Sequence, residues 1–144
     1  YLSHMITSVP GSSAYYNGTA VTYSNEAKVN VLGVSGHSLN KVGAVSEEVA
    51  CQMAEGARKL MNTDFAISTT GVAGPDGGTP EKPVGTVWIG ISSPSRTYAL
   101  KFLMGNHRER NIRRTALQAL QLLRKEIMRE KKLSLDVVLS RNKY

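Results

Sequence analysis

Leu2, Met5, Ile6 and Val9 recur at helical spacing until Pro10-Gly11 stops the pattern, which predicts a short amphipathic helix at the start of the chain. Thr19-Ala20-Val21-Thr22-Tyr23 is β-branched and follows the turn signal Asn17-Gly18, so a strand is expected there. Ser24 then has the chemistry of an N-cap, opening a short helix that ends near Gly33. From Val34 to Val45 the pattern is interrupted by Gly36 and Gly43, predicting loops or a short helix. Ser46, Glu47 and Glu48 mark a stronger helix start, because acidic residues suit the positive end of the dipole. Behind it Val49, Ala50, Met53, Ala54, Ala57, Leu60 and Met61 form one apolar stripe, expected to pack on a sheet with the methionines filling gaps in the core.

Phe65 to Thr70 reads as a strand after the turn Asn62-Thr63-Asp64, and it runs into a glycine-rich stretch from Gly71 to Gly78. Val84 to Ser92 is strongly strand-like, with Val87, Ile89 and Ile91 on one face and Trp88 on the other. Ser93-Pro94-Ser95 turns the chain, and Tyr98, Leu100 and Phe102 alternate in the next strand, so an antiparallel hairpin is expected. From about Arg108 to Lys131, Ile112, Ala116, Ala119, Leu120, Leu123 and Ile127 define the apolar face of a long helix. Residues 133–144 form a tail with no assigned role.

With 144 residues, 41% of them hydrophobic, the chain suits one domain with a single core. No apolar run approaches the roughly 20 residues of a membrane helix, and no signal peptide is visible, so a cytoplasmic protein without a membrane partner is expected. The single cysteine, Cys51, rules out an internal disulfide and reads as a buried structural thiol. His4, His37 and His107 lie far apart outside any ligand motif, so neither a metal site nor a cofactor is expected. The charge is lopsided: residues 1–95 carry 5 Lys+Arg against 7 Asp+Glu, and residues 96–144 carry 13 against 4. A basic C-terminal third can attract nucleic acid, but there is little aromatic interleaving for base stacking, and a solvated arginine-rich face explains the same pattern. Nucleic acid is therefore not an expected partner.

Two stretches carry candidate chemistry. If Ser24 is the cap, Lys28 is the fourth residue of its helix, close to the positive end of the dipole, which favours neutral amine over ammonium. Such a lysine can act as a general base in a serine hydrolase that lacks histidine, although most lysines in first turns are simply solvated. The loop Gly71-Val72-Ala73-Gly74 at a strand end can present backbone N–H groups to a phosphate or an oxyanion. It is neither a Walker loop nor a GxGxxG dinucleotide loop, and an ordinary long loop accounts for it equally well. Arg108, Arg110, Arg113 and Arg114 crowd the first turns of the last helix, where cations are unfavourable unless an anion lies nearby.

The runs Pro10-Gly-Ser-Ser-Ala14, Tyr23-Ser-Asn-Glu-Ala-Lys28, Gly43-Ala-Val-Ser-Glu47, Thr70-Gly-Val-Ala-Gly-Pro75 and Glu81-Lys-Pro-Val-Gly-Thr-Val87 together make a specific signature. It resembles the C-terminal domain family of the competence/damage-inducible protein CinA, which also occurs alone as the bacterial nicotinamide-nucleotide amidase. The resemblance covers residues 1 to about 130. It implies an α/β fold, a three-layer α/β/α sandwich with a central mixed sheet. It also implies hydrolysis of nicotinamide mononucleotide to nicotinic acid mononucleotide and ammonia, in pyridine-nucleotide salvage. The family's lysine general base falls on Lys28, with Tyr23 beside it as a second catalytic position. Ser24, Asn25, Thr70, Gly71, Ala73 and Gly74 fall on the substrate-binding segments, and Arg108 takes the place of a residue that meets the substrate phosphate.

The chain departs from the family at two points. The serine nucleophile of the family lies in a Ser-Cys-Thr-Gly-Gly run expected directly before Tyr1, so the resemblance implies a domain over 1–132 whose N-terminal strand and nucleophile segment lie outside these residues, followed by the tail 133–144; either a preceding segment supplies the serine or this form is expected to be inactive. The family's Gly-Asp-Arg reads Gly105-Asn106-His107-Arg108 here. The expected partner is a small-molecule nucleotide, and a homo-oligomer is expected. A different class of function, a non-catalytic nucleotide-binding or interaction module linked to competence or DNA damage, fits the same motifs.

Overall fold

The computed structural model describes residues 1–141. Along them run α1 (Leu2–Thr7), a single 3-10 turn (Ser12–Ala14), α2 (Asn25–Leu32), α3 (Gly36–Val42), α4 (Glu47–Met61), β1 (Ala66–Gly71), β2 (Thr86–Ser92), β3 (Thr97–Leu103) and α5 (Arg108–Arg141). Three helices start on a serine whose hydroxyl accepts an otherwise orphaned backbone N–H: Ser24 from Ala27, Ser35 from Ser38 and Ser46 from Val49. Gly33 closes α2 and Asn62 closes α4, each in the left-handed conformation that frees the last carbonyls for capping.

The strands lie in the order β1-β2-β3, and every pairing is antiparallel. Side-chain alternation sorts the sheet into two unlike faces. One carries Ser68, Gly90 and Ala99 in register across the three strands, and this small-residue strip lets α4 come close. Ser68 Oγ donates to the Ala50 carbonyl of α4 at 2.6 Å, and a Cβ on Gly90 would stand 2.4 Å from that same oxygen. The other face carries Val87, Ile89 and Ile91, which pack with Met104 and with Ala119 and Leu122 of α5. Full burial of each such isoleucine is worth about 1.5–3 kcal/mol. A second core of Leu32, Val34, Leu39, Val49 and Met53 ties α2 and α3 to α4. The result is the layered α/β sandwich, with α2, α3 and α4 on one side of the sheet and α1 and α5 on the other.

Within the sandwich the described strands pair antiparallel throughout. Gly71 pairs with Val87, so the chain leaves β1 and enters β2 at the same end of the sheet. A parallel pair would require a crossover to the opposite end. The segment Thr19–Tyr23 differs from the strand expected there. Its residues alternate as a strand's would, with Thr22 buried and Val21 82% exposed, but they make no ladder with any described strand. β-branched composition sets the extended backbone, whereas a strand needs a hydrogen-bonded neighbour.

The buried stripe of α5 is rotated from the all-apolar face. It comprises Asn111, Thr115, Ala116, Ala119, Leu122 and Glu126, while Ile112 is exposed. The polar members are inside because they have partners. Glu126 accepts from Arg96 Nη2 at 2.5 Å, Arg129 Nη2 at 2.6 Å and Ser93 Oγ at 2.9 Å, and these donors, Arg96 first, hold its carboxyl down at about 2 against its burial. The helix continues past Lys132 to Arg141, so the described part of the tail is helical; residues 142–144 lie outside the described residues. Among the described residues no helix is long and apolar enough to cross a membrane.

Candidate functional site

The chain turns from an extended segment into α2 at Ser24, and that turn folds three carbonyls back over the first helical turn. Lys28 Nζ donates to the Thr22 carbonyl at 2.8 Å, with longer contacts to Tyr23 O at 3.4 Å and Ser24 O at 3.5 Å. Lys28 is only 7% exposed, and no described carboxylate pairs with it. Burial pushes its pKa below the ordinary lysine value of 10.5, since removing an ammonium from water without a counter-ion disfavours the charged form. The sequence expectation of a first-turn lysine therefore holds in position, and its amine is buried rather than solvated.

Tyr23 points the other way, 83% exposed. Its hydroxyl accepts from Arg108 Nη2 at 3.5 Å, and Arg108 Nη1 donates to the Gly74 carbonyl at 2.9 Å. The Lys28 turn, the glycine loop and the start of α5 thus meet, although 85 residues separate Tyr23 from Arg108. The guanidinium retains further N–H donors in its fork for an anion.

The loop after β1 is built on glycine for steric reasons. Gly74 has φ 89° and lies buried, where a Cβ would stand 2.6 Å from Val84 Cγ1. Gly71 is exposed, but a Cβ there would meet the Thr86 carbonyl at 2.7 Å. Val72 N–H is spent on Thr86 O at 2.9 Å, so Ala73 and Gly74 are the loop residues beyond the sheet ladder. Thr70 is buried, and its hydroxyl donates to the Ala44 carbonyl at 2.8 Å, which ties β1 to the connection before α4. Ser24 Oγ is engaged as the α2 cap, and Asn25 is exposed at the first helical position.

Of the sequence-derived residues, the fold therefore joins Tyr23, Lys28, Gly74 and Arg108, while the side chains of Thr70 and Ser24 are turned to backbone. Two residues at this end escaped the sequence reading. Lys82 Nζ donates to the Val42 carbonyl at 2.7 Å, fastening the loop before β2 to the end of α3. Asn111 donates to Ala73 O at 3.0 Å and to Gly105 O at 2.9 Å. A signal for Asn111 was present, since it lies one and two turns ahead of the inward-facing Thr115 and Ala119. A cleft of about 510 Å³ between α5 and Phe65 and Pro94 lies at the opposite end of the sheet and contains none of these residues.

The arrangement supplies an amine biased toward neutrality, a cation next to an exposed phenol, and a backbone loop held by α5. It can take up a proton, bind an anionic group and donate N–H bonds within one region of the surface.

The CinA C-terminal domain family model matches residues 1–127. A CinA-like protein of Cytophaga hutchinsonii is 49% identical over 127 residues, covering 88% of this chain and 30% of the relative. A CinA-like protein of Desulforapulum autotrophicum is 50% identical over 131 residues, again covering 88% of this chain and 30% of the relative. The chain thus spans about 30% of the length of these curated relatives. Among solved structures, the competence damage-inducible protein A of Klebsiella pneumoniae superposes with a TM-score of 0.84 at 31% identity, over 88% of this chain and 79% of that one. The competence/damage inducible protein of Agrobacterium tumefaciens gives 0.82 at 37% identity, over 85% and 75%. A chain that shares the layered fold with these structures, about half of its aligned residues with these relatives and the family pattern over residues 1–127 belongs to the CinA C-terminal domain family.

Proposed function

We propose that this domain hydrolyses the carboxamide of nicotinamide mononucleotide, giving nicotinic acid mononucleotide and ammonia, in pyridine-nucleotide salvage. The observation that carries the reading is the Lys28 amine: buried, without a carboxylate partner among the described residues and with a lowered pKa, next to a turn that reaches Arg108 and the glycine loop.

In this reading the nucleophile is the serine of the run that precedes the position of Tyr1 in the family. Neutral Lys28 takes the serine proton as the oxygen attacks the amide carbon, and the N–H groups around Ala73 and Gly74 receive the oxyanion. The Lys28 ammonium then returns the proton to the departing nitrogen, so ammonia leaves and an acyl-enzyme remains. Water, deprotonated by the same amine, attacks the ester; the acid is released and the serine regains its proton. Arg108 holds the nucleotide phosphate, with Tyr23 beside it.

The test is ammonia release from nicotinamide mononucleotide by the full-length protein and by its Lys28→Ala variant. Turnover by the wild type, abolished in a variant that still binds the nucleotide and unfolds cooperatively, is the expected result; a variant that keeps its turnover overturns the assignment. Nucleotide binding by the wild type without ammonia favours the non-catalytic binding module instead.

A further inference from the structure

Arg108 and Asn111 stand three residues apart on α5, on one face of its first turn, and they hold consecutive carbonyls of the glycine loop. Arg108 takes Gly74 O at 2.9 Å and Asn111 takes Ala73 O at 3.0 Å. Asn111 is 1% exposed and spends its second N–H on Gly105 O at 2.9 Å, in the connection that leads into α5. Two carbonyl partners fix the orientation of the side-chain amide, because a flipped Oδ1 would face two acceptors. The side chain therefore bridges the glycine loop and the β3–α5 connection. Its Oδ1 is buried without a hydrogen-bond partner among the described residues. An unpaired buried acceptor costs about 1–3 kcal/mol, so this position is not one that stability alone explains well.

The connection it grips is itself tightly set. A Cβ on Gly85 would stand 2.0 Å from the Gly105 carbonyl, Met104 N–H donates to Gly85 O at 2.8 Å, and Arg114 Nη1 caps Met104 O at 2.8 Å. Gly105 is thus a fixed post, and Asn111 transfers that fixed position to Ala73. In a planar peptide the C=O and the following N–H point in opposite directions. Fixing Ala73 O toward α5 therefore fixes the Gly74 N–H away from it, on the side of the loop that Asn111 does not cover.

We propose that Asn111 is a positioning residue for the reaction: by holding the Ala73 carbonyl it orients the Ala73–Gly74 peptide so that the Gly74 N–H faces the oxyanion. The inference rests on the amidase reading above. Asn111 has no contact with substrate, since its side chain is sealed behind the loop. A donor that acts on the oxyanion works in the transition state and not in the ground state, so its loss lowers kcat and leaves KM nearly unchanged. Arg108, in contrast, holds the phosphate in both states.

The experiment compares full-length wild type, Asn111→Ser, Asn111→Asp and Arg108→Ala in steady-state ammonia release from nicotinamide mononucleotide, with thermal unfolding of each. Asn111→Ser keeps one short donor, and Asn111→Asp keeps the shape but removes both. The expected result is a kcat about 10²-fold lower in Asn111→Asp, the magnitude of one oxyanion donor, with KM within about threefold of wild type. Asn111→Ser should fall between the two, and Arg108→Ala should act mainly on KM. Unchanged kcat in both Asn111 variants, or KM rising as kcat falls, overturns the positioning role. Should Asn111→Asp fail to fold, the serine variant decides on the same split. Absence of ammonia release from the wild type is a separate outcome, which overturns the amidase reading and this inference with it.

Discussion

The Lys28 amine donates to the Thr22 carbonyl at 2.8 Å, while the Thr22 hydroxyl is buried without a partner among the described residues. Among the described residues the amine is thus hydrogen-bonded by backbone carbonyls only. Carbonyl dipoles satisfy its N–H groups but do not offset the loss of water as a carboxylate would, and the pKa falls.

In the amidase reading proposed above, this fixes the direction of the pH profile. A general base works deprotonated, so kcat/KM for ammonia release should rise with pH and level off below 10.5, the ordinary lysine value. Lys28→Arg keeps the charge and cannot lose it, so the variant should be inactive across the whole profile. A profile that levels off only above the ordinary lysine value, or an active arginine variant, removes Lys28 as the base.

The same shift has a consequence for stability. Between the lowered folded pKa and 10.5, the unfolded chain binds the Lys28 proton more tightly than the folded one, so this residue makes stability rise with pH across that window. Urea midpoints of wild type and Lys28→Gln, measured from pH 7 upward, should show the steeper rise in the wild type. Parallel curves would mean that Lys28 titrates in the fold as it does in water.

At the other end of the domain the signs reverse. Glu126 is 1% exposed and its carboxyl sits at about 2 in place of the usual 4.5, so it stabilises the fold fully above pH 4.5 and loses that contribution as pH falls toward 2. The shift corresponds to about 3 kcal/mol. Glu126→Gln deprives Arg96 of its carboxylate, while Arg129 keeps Glu130, and should cost about 3 kcal/mol at pH 7, the magnitude of that shift. The gap to wild type should narrow steadily in chemical denaturation between pH 4.5 and pH 2. A gap that stays constant over that range would assign the loss to packing alone.

Most strands, two of the helix caps and the apolar faces were legible because each is local: Ser24 and Ser46 announce their helices whatever lies above them, and Ile89 and Ile91 alternate with Trp88 in any context. The Lys28 position was legible for the same reason. What the pattern hid was polar and long-range. Asn111 and Glu126 read as breaks in an apolar stripe, and only the arrival of Gly105 and Arg96 turns them inward. The Thr19–Tyr23 segment shows the converse case, in which local propensity is strand-like and no described neighbour completes a ladder. The site was legible as two separate stretches; the Arg108 contact that joins them spans most of the chain and left no periodic trace.

Gly56 puts local propensity and tertiary contact in direct opposition. It lies in the interior of α4, where replacing glycine by alanine ordinarily stabilises a helix by about 1 kcal/mol. Here an added Cβ would stand 1.9 Å from the Leu32 carbonyl, the last helical residue of α2, and no side-chain rotation relieves a contact with backbone. Overpacking of this kind costs about 1–3 kcal/mol, so the sum should be a net loss of stability despite the gain in propensity. Because α2 also carries Lys28, pushing it off α4 displaces the amine. Gly56→Ala should therefore unfold at lower denaturant and also release ammonia more slowly in the full-length protein. A variant more stable than wild type would mean that α2 and α4 move apart freely, and that the seat of Lys28 does not depend on their close approach.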